Sequence, residues 1–406
     1  MQVVILCGGK GKRLLPLTKS IPKPMVMVNN KPFLFHLISY FKNNNFKNFL
    51  LLLGYKHKLI SDYFGNGNKF NVNIKYNIQN VNINTSKRIY EAKKQLKENF
   101  IIVYSDNFIV FDIKGYVKSF IDSKKNISFL LKQKINGNFL VSSNNELKYS
   151  NNTSQGNKYV ELGFMIAKKK FFFKSINHDN INLNQNFNKF LLRNNYTFKI
   201  VNENYYSVGD IIRLNKTKKY ITPKKIILID RDGIINKKPK KGHYITSWNE
   251  FNFINENLRM MKILSKIGFY FIIISNQAGL NRKIILKKNF EIINKKLKLF
   301  FKREKINLLS TYYCPHHWIE NCACRKPKNG LLLQVSADYD LRLDEVIFIG
   351  DQLSDYEAAV NSNCFSIIIN KKNIFEKKIH RNLLLRSTSI NKVISMINNF
   401  YNKSNA

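Results

Sequence analysis

The chain is 406 residues long, 44% of them hydrophobic, and it carries a formal net charge of +42 at pH 7. This length predicts two or three domains, and the apolar content is sufficient for their cores. No apolar run reaches the roughly 18–20 residues of a membrane span, and the N-terminus resembles a strand and loop rather than a signal peptide. A soluble, cytoplasmic protein without a membrane partner is expected.

The positive charge raises the question of whether the chain binds nucleic acid. Lysine is mixed with asparagine and isoleucine throughout the sequence, rather than concentrated in one stripe or tail. This favours a composition bias, and a positive field would still attract sugar phosphates and nucleotides. A nucleic-acid-binding protein is the alternative from another class, and it predicts binding that weakens steeply with salt. No nucleic-acid motif is present, so nucleic acid is not an expected partner.

The first half of the chain alternates short apolar runs with segments of helical period, which indicates a parallel α/β sheet. Strands are predicted at 3–7, 49–54 and 100–106, helices at Phe33–Asn43 and Ser86–Lys97, and loops with an antiparallel extension at 134–160.

A proline and clustered charges at 222–225 mark the predicted boundary between domains 1–222 and 223–406. A second series of elements follows, with strands predicted at 226–230, 269–274, 345–350 and 365–369 and helices at Glu256–Ile267 and Lys283–Glu304. Polar residues end three of these strands: Asp230, Ser275 and Asp351. Because ligands bind at the carboxyl ends of strands in open α/β sheets, these residues should share one crevice. The predicted fold is therefore α/β, with two doubly wound parallel-sheet domains.

A glycine-rich loop follows the first strand in VVILCGGKGKRLLPLT (3–18). Its Gly8, Gly9 and Gly11 would let the backbone approach phosphates, and Arg13 and Lys23 would supply countercharge.

With IPKPM at 21–25, this stretch resembles the sugar-phosphate nucleotidyltransferases, and the similarity extends over roughly residues 1–220. The resemblance implies a Rossmann-like domain in which a sugar 1-phosphate attacks the α-phosphorus of a nucleoside triphosphate and pyrophosphate leaves. Asp106 would hold magnesium, and Glu161 would contact the sugar.

The first half also departs from that family's pattern. The departures are Lys12 in place of Thr or Ser, Ser105 in place of Gly, a loose match at 81–88, and Ser207 in place of Asp. Asp210 lies three residues beyond Ser207, which leaves the second metal site open. The alternative for this half is a retained fold with weak or no transferase activity.

The most informative stretch of the chain is IILIDRDGIIN (226–236), an apolar strand that runs into Asp-x-Asp. Asp230 can attack phosphorus and form an aspartyl-phosphate, and Asp232 can protonate the leaving oxygen and then activate water. Asp351 adds a third carboxylate, enough for magnesium. Ser275 and the following backbone N–H groups can bind phosphate, and Lys326 can neutralise charge.

These motifs resemble the haloacid dehalogenase-like phosphatases over most of residues 224–370, with DRDG at 230–233, SNQAGL at 275–280, CRKP at 324–327 and GDQLSD at 350–355. Ile234 stands where the family usually has Thr or Val. The resemblance implies catalytic residues Asp230, Asp232 and Lys326, phosphate- or substrate-binding residues Ser275, Asn276 and Arg325, and magnesium ligands Asp230, Asp232 and Asp351.

A cysteine and histidine cluster lies in CPHHWIENCAC (314–324). The three thiolates and one imidazole of a structural zinc site are predicted to come from Cys314, His316, Cys322 and Cys324. His317 is the competing ligand. Zinc would stabilise the loop by on the order of 10 kcal/mol and shape the substrate-binding edge next to Arg325 and Lys326, rather than take part in the chemistry.

With this loop, the second half resembles both the heptose 1,7-bisphosphate 7-phosphatases and the histidinol-phosphate phosphatases. A nucleotidyltransferase has an immediate use beside the former. The phosphatase would make D-glycero-D-manno-heptose 1-phosphate, and the first half would activate it for surface polysaccharide, with GTP as the favoured triphosphate because this half looks most like mannose-type and heptose guanylyltransferases. The alternative is a histidinol-phosphate-type or other sugar-phosphate phosphatase with a non-catalytic first domain. The oligomeric state is not predicted.

Overall fold

A computed structural model describes residues 1–150, 158–176, 178–192, 194–240, 242–370 and 382–405. The chain divides into two compact units, Met1–Lys219 and Tyr220–Ala406. The boundary predicted after residue 222 falls just beyond this division. In the described ranges, every helix is too short or too polar to cross a membrane.

The first unit is built on a mixed sheet that has nine strands within the described residues. The strands of the unit are β1 (Gln2–Cys7), β2 (Met27–Val28), β3 (Lys31–Pro32), β4 (Asn48–Leu53), β5 (Asn73–Ile78), β6 (Asn99–Tyr104), β7 (Asn107–Ile109), β8 (Ile127–Gln133), β9 (Phe139–Val141), β10 (Leu147–Tyr149), β11 (Tyr159–Lys168), β12 (Tyr196–Val201) and β13 (Tyr205–Ser207). Its helices are α1 (Phe33–Asn43), α2 (His57–Phe64), α3 (Thr85–Glu91), α4 (Ile113–Asp122), α5 (Lys169–Ser175), α6 (Phe187–Leu191) and α7 (Ile211–Ile221), the last of which crosses the division.

The centre of this sheet is the parallel set β5-β4-β1-β6. Strand β1 is buried along its whole length, as expected when helices cover both faces of a parallel sheet. Because β1 and β6 pair in parallel up to Leu6 and Tyr104, their carboxyl ends place the glycine-rich loop beside Asp106. The three strands and the first helix predicted in this half are confirmed.

Two predictions for the first unit need correction. The antiparallel extension predicted at 134–160 is present in β9 and β10, but the sheet is mixed in its main part as well, since β11 runs antiparallel between β6 and β8. The chain reaches β11 through the short antiparallel strands β9 and β10, a connection that needs no helical crossover. The helix predicted at 86–97 ends at Glu91, and a 3₁₀ turn follows at Lys93–Gln95. Residues 151–157 of the predicted 134–160 extension lie outside the described residues.

The second unit holds a sheet of six strands among the residues described, and all neighbouring strands in it run parallel. Its strands are β14 (Ile226–Ile229), β15 (Tyr270–Asn276), β16 (Leu308–Cys314), β17 (Ile347–Gly350), β18 (Phe365–Ile368) and β19 (Leu383–Arg386). Its helices are α8 (Asn255–Lys266), α9 (Lys287–Arg303), α10 (Gly330–Tyr339), α11 (Leu353–Asn361) and α12 (Ile390–Asn405).

The strand order β16-β15-β14-β17-β18-β19 is that of a doubly wound sheet, as predicted. The order reverses at β14, which lies between β15 and β17, so a ligand crevice is expected at the carboxyl ends of these three strands. The four strands predicted in this half are confirmed. The two edge strands, β16 and β19, were not predicted. Strand β16 carries Ser310 and Thr311 at its centre because an edge strand need not be continuously apolar.

Candidate active sites

Buried carboxylates meet at the carboxyl ends of β14 and β17. Among the described residues, oxygens of Asp230, Asp351 and Asp355 lie within 4.8 Å of one another. Asp230 directly follows β14 and Asp351 directly follows β17. Asp355 comes from the first turn of α11, and its Oδ2 accepts hydrogen bonds from the N–H groups of Asp351 (3.2 Å) and Gln352 (3.0 Å). The sequence prediction did not include Asp355.

The buried ammonium of Lys326 lies against this carboxylate group. Its Nζ is 2.7 Å from Asp230 Oδ1 and 2.6 Å from Asp355 Oδ1, and it donates to the carbonyl of Ile274 (3.0 Å). The backbone of Lys326 is held by the side chain of Asn276, which donates to its carbonyl and accepts from its N–H, both at 3.1 Å. The structure therefore brings Asp230 and Lys326 together, and it uses the Asn276 side chain, predicted to bind phosphate, to fix the Lys326 backbone.

The charges of this group are unbalanced. Burial raises the pKa of Asp230 to about 7, although Lys326 pulls it down. Burial opposes the charge on Lys326, but Asp230 and Asp355 outweigh it and raise the pKa of Lys326, so the ammonium stays charged. Asp351 has its Oδ2 3.2 Å from Lys238 Nζ, whereas its buried Oδ1 accepts no hydrogen bond from the described residues.

A hard divalent cation fits this group. Carboxylate oxygens are the ligands that magnesium prefers, and the buried Oδ1 of Asp351 is available to one. The cation would also offset the negative charge that Lys326 leaves uncompensated.

Asp232 lies outside this carboxylate group and is held by other side chains. Arg231 donates to both of its carboxylate oxygens at 2.9–3.2 Å, Asn236 donates to Oδ1 (2.9 Å) and Gln277 to Oδ2 (2.8 Å). Burial would raise the pKa of Asp232, but the charge and hydrogen bonds of Arg231, with those of Asn236 and Gln277, lower it below the usual range. Asp232 is therefore a fixed carboxylate beside the proposed nucleophile.

Arg231 was missed by sequence reasoning. Its side chain is 2% exposed, and its guanidinium lies 5.8 Å from the ring centroid of Phe251 and 5.9 Å from that of Phe290. Arginines are mostly exposed, so the sequence carries no signal that this one is buried.

The two remaining predicted phosphate ligands of the second unit are Ser275 and Arg325. Ser275, at the end of β15, is buried, and its Oγ accepts a hydrogen bond from Gln277 Nε2 (2.7 Å). Arg325 directly precedes Lys326, and its buried Nη1 has no hydrogen-bond partner within the described ranges. That nitrogen is a donor available to an anion.

The four predicted zinc ligands converge at the end of β16. The Sγ of Cys322 lies 3.5 Å from the Sγ atoms of Cys314 and Cys324, and His316 Nδ1 lies 3.6 Å from Cys314 Sγ and 3.1 Å from Cys324 Sγ. A tetrahedral zinc with bonds of about 2.3 Å holds its sulfur ligands roughly 3.8 Å apart, so the donor set fits zinc. His317 instead caps a 3₁₀ turn by accepting the N–H of Ile319 (3.2 Å).

A cavity of about 710 Å³ lies beside the glycine-rich loop of the first unit. All the predicted site residues of this half line it, namely Gly8, Gly9, Gly11, Arg13, Lys23, Asp106 and Glu161. Lys23 Nζ lies 2.5 Å from Asp106 Oδ2. The phosphate countercharge and the magnesium ligand predicted for this half therefore meet.

The structure requires glycine at two positions of the loop, for different reasons. A Cβ on Gly8 would lie 2.3 Å from Cζ of Arg88, so this glycine makes room for a buried guanidinium. Gly11 has a φ of +64° and a would-be Cβ 2.9 Å from the Cβ of Lys23, so both its conformation and its neighbour require glycine. Gly9 faces open space. The approach of the loop to phosphate stays a prediction.

Glu161 lies at a bulge of β11. Its Oε1 accepts the N–H groups of Gly163 (2.7 Å) and Phe164 (2.9 Å). Burial raises the pKa of Glu161 to about 7, against these two hydrogen bonds. A carboxyl group poised in this way can either accept or donate hydrogen bonds at neutral pH.

A second magnesium site in the first unit does not fit the residues present. Among the described residues, the carboxylates that line the cavity are Asp106 and Glu161. Asp210 caps α7 by accepting the N–H of Arg213 (2.9 Å) and pairs with its guanidinium (3.2 Å). Ser207 is buried in the β7–β13 ladder and offers no carboxylate.

Two family models match the chain: Nucleotidyl transferase over residues 2–137 and Polynucleotide kinase 3 phosphatase over residues 225–367. The D-glycero-beta-D-manno-heptose-1,7-bisphosphate 7-phosphatase of Helicobacter pylori (strain ATCC 700392 / 26695) is 37% identical over 139 residues, which are 34% of this chain and 79% of that protein.

Two further relatives are matched over smaller parts of their length. The Histidine biosynthesis bifunctional protein HisB of Campylobacter jejuni subsp. doylei is 36% identical over 137 residues, or 34% of this chain and 39% of that protein. The D-glycero-alpha-D-manno-heptose 1-phosphate guanylyltransferase of Aneurinibacillus thermoaerophilus is 34% identical over 133 residues, or 32% of this chain and 57% of that protein. The chain belongs to the family of the heptose 1,7-bisphosphate 7-phosphatases and combines that phosphatase domain with a nucleotidyl transferase domain.

Proposed function

We propose that this chain removes the 7-phosphate of D-glycero-D-manno-heptose 1,7-bisphosphate and then transfers a nucleotidyl group, from GTP in preference, to the remaining 1-phosphate. The observation that carries the proposal is the buried Asp230–Lys326–Asp355 group next to the Cys/His loop, in a chain of the heptose phosphatase family. The cavity of the first unit supplies the second activity, and the heptose guanylyltransferase relative supports the choice of sugar and nucleotide.

The phosphatase reaction uses residues of the second unit. A carboxylate oxygen of Asp230 attacks the phosphorus, and the bond to the sugar oxygen breaks as that oxygen takes a proton from Asp232. Asp232 must bind this proton before the step, against the hydrogen bonds that lower its pKa in the free chain. Water, activated by Asp232, then hydrolyses the aspartyl-phosphate. Lys326 neutralises charge, and Ser275 and Arg325 bind phosphate oxygens.

We assign the magnesium ligands of this unit to Asp230, Asp351 and Asp355. Asp355 takes the place predicted for the Asp232 carboxylate, which Arg231 holds outside this group. Bound magnesium supplies positive charge next to the phosphoryl group.

The zinc ligands are Cys314, His316, Cys322 and Cys324. Their role is to fix the loop that leads into Arg325 and Lys326. The backbone N–H of Gly330 donates to the carbonyl of Ala323 (3.0 Å), which ties the residue before Cys324 to the start of α10. The segment that contains Lys326 is therefore fixed before it by the zinc ligands and after it by the start of α10.

The transfer reaction uses the cavity of the first unit. A phosphate oxygen of the sugar 1-phosphate attacks the α-phosphorus of the nucleoside triphosphate, and pyrophosphate leaves. Arg13 and Lys23 neutralise phosphate charge, and Glu161 accepts hydrogen bonds from hydroxyl groups of the sugar. Asp106 would hold one magnesium ion, which supplies charge neutralisation when bound.

A second candidate is a histidinol-phosphate-type phosphatase whose first unit does not catalyse transfer. Two observations favour it: Asp210 caps a helix instead of joining Asp106, and HisB is nearly as similar to this chain as the heptose phosphatase is.

Substrate choice separates the candidates. Purified protein with magnesium is given heptose 1,7-bisphosphate or histidinol phosphate at equal concentration, and phosphate release is measured, with Asp230→Asn as the inactive control. The proposal predicts a kcat/KM at least about 100-fold higher for the bisphosphate. A preference for histidinol phosphate would replace it by the second candidate.

A further inference from the structure

Arg88 is a buried cation without an anionic partner. Its side chain is 2% exposed, although it lines the cavity of the first unit. Throughout the described part of the chain, no carboxylate lies within 4.0 Å of its guanidinium nitrogens. The lysine and aspartate that meet in the same cavity, Lys23 and Asp106, pair with each other.

The guanidinium of Arg88 connects two separate segments through neutral acceptors and faces a third. Nη1 donates to the carbonyl of Leu53 (2.6 Å), at the end of β4, and Nη2 donates to the carbonyls of Asn80 and Ile83 (both 2.9 Å). Its Nε and Cζ face the glycine-rich loop, where a Cβ on Gly8 would come within 2.4 Å of both. Arg88 thus fixes the wall formed by residues 79–83 against the loop.

Such an arrangement is costly in the absence of an anion. Carbonyl oxygens accept hydrogen bonds from Nη1 and Nη2, but a buried charge also needs an opposite charge to recover its lost hydration. A planar guanidinium matches phosphate geometry particularly well. The cavity that Arg88 lines is also lined by Lys12, Arg13 and Lys23, so four cationic residues border the same space.

We propose that Arg88 is a positioning residue of the nucleotide cavity, which joins the glycine-rich loop to residues 79–83 and has its charge balanced by the phosphates of a bound nucleoside triphosphate. The proposal rests on the nucleotidyl transfer assigned to the first unit. The proposal also gives a function to residues 81–88, which match the nucleotidyltransferase pattern only loosely, because this segment places Arg88 against the glycine-rich loop.

The test measures how the affinity for a guanosine nucleotide depends on its number of phosphates. Binding of GTP, GDP and GMP with magnesium is measured by calorimetry on the full chain, for wild type, Arg88→Met and Arg88→Lys. Lys94→Met, which removes an exposed charge from the same unit, is the matched control. Arg88→Met should weaken GTP binding by about 10- to 100-fold, and the loss should decrease from GTP to GMP. Arg88→Lys should recover part of the GTP affinity, and Lys94→Met should bind as wild type does.

Equal losses for all three nucleotides, or no loss, would overturn the proposal, because a purely structural arginine does not distinguish phosphate number. If both Arg88 variants fail to fold, the thermal transition of Arg88→Lys is measured with GTP and with guanosine. A transition that returns with GTP but not with guanosine supports the proposal. No return of the transition overturns it. Failure of the wild-type chain to bind any nucleoside triphosphate would instead remove the proposed transferase function.

Discussion

The ammonium of Lys326 lies 2.7 Å from Asp230 Oδ1, and both side chains are almost completely buried, at 3% and 5% exposure. The proposed nucleophile therefore faces its countercharge in a site that excludes most water. An interaction of this kind is hard to replace, because each charge depends on the other for its burial.

Lys326→Met should abolish most phosphatase activity and destabilise the second unit. The substitution leaves Asp230 and Asp355 without their cation, which costs about 3–5 kcal/mol of unfolding free energy for a broken buried pair. We expect kcat to fall by about 100- to 1,000-fold. Denaturant unfolding and phosphate release measure the two effects, with the exposed Lys288→Met as control. An active and equally stable Lys326→Met would contradict this account of the site.

Asp355→Asn should weaken magnesium binding. Asp355 contributes one of the clustered carboxylates, so neutralising it removes both a ligand and a negative charge. The magnesium concentration for half-maximal phosphatase activity should rise at least about tenfold, equivalent to roughly 1.4 kcal/mol. A magnesium titration of activity checks this, and Glu357→Gln, on the same helix, should behave as wild type. An unchanged magnesium requirement in Asp355→Asn would exclude Asp355 as a ligand.

The two neighbouring histidines of the Cys/His loop should respond differently to substitution. His316 points its Nδ1 at the sulfur atoms, whereas His317 caps a turn. His316→Ala should lose bound zinc and phosphatase activity, while His317→Ala should retain one zinc ion per chain. Elemental analysis of the purified variants, before and after chelation, is the measurement. Zinc loss in the His317 variant alone would reverse the ligand assignment.

The stability of the first unit should depend on pH through Glu161. Its folded pKa of about 7 is above the ordinary 4.5, so the folded chain holds this proton more tightly than the unfolded chain does. The stability contributed by the protonated group is present below pH 4.5 and is lost as pH rises to about 7. Glu161→Gln removes this loss, so it should stabilise the unit at pH 8 by up to about 3 kcal/mol, and little at pH 4.5.

Thermal unfolding of Glu161→Gln and wild type at the two pH values checks this expectation. Glu146→Gln, at an exposed position of the same unit, should show no such difference. A stabilisation of Glu161→Gln that is equal at both pH values would show that the effect does not come from this ionisation.

The sequence could predict the residues that directly follow strands. Asp230 and Asp351 directly follow apolar strands and Ser275 lies at the end of one, and parallel strands bring their carboxyl ends to one edge, so the structure places these residues around one crevice. Cysteine spacing likewise predicted the four atoms that converge beside β16.

Residues that reach the site from another direction could not be predicted in this way. Asp355 lies in the first turn of α11, and its carboxylate accepts the N–H of Asp351, a contact that depends on the cap of this helix. Arg88 and Arg231 are buried against expectation, since charged side chains are usually solvated and their spacing carries no period. The antiparallel direction of β11 in the first unit was not predicted, because a strand this apolar can run either parallel or antiparallel to its neighbours.

The central claim is that one chain carries out dephosphorylation and then nucleotidyl transfer. The most direct measurement follows phosphate and pyrophosphate separately when the purified protein receives heptose 1,7-bisphosphate, magnesium and each nucleoside triphosphate in turn. The account predicts phosphate release first, then pyrophosphate release that requires GTP, with Asp230→Asn blocking both and Asp106→Asn only the second. Phosphate release with every triphosphate inert would contradict it and leave a phosphatase whose first unit does not catalyse transfer.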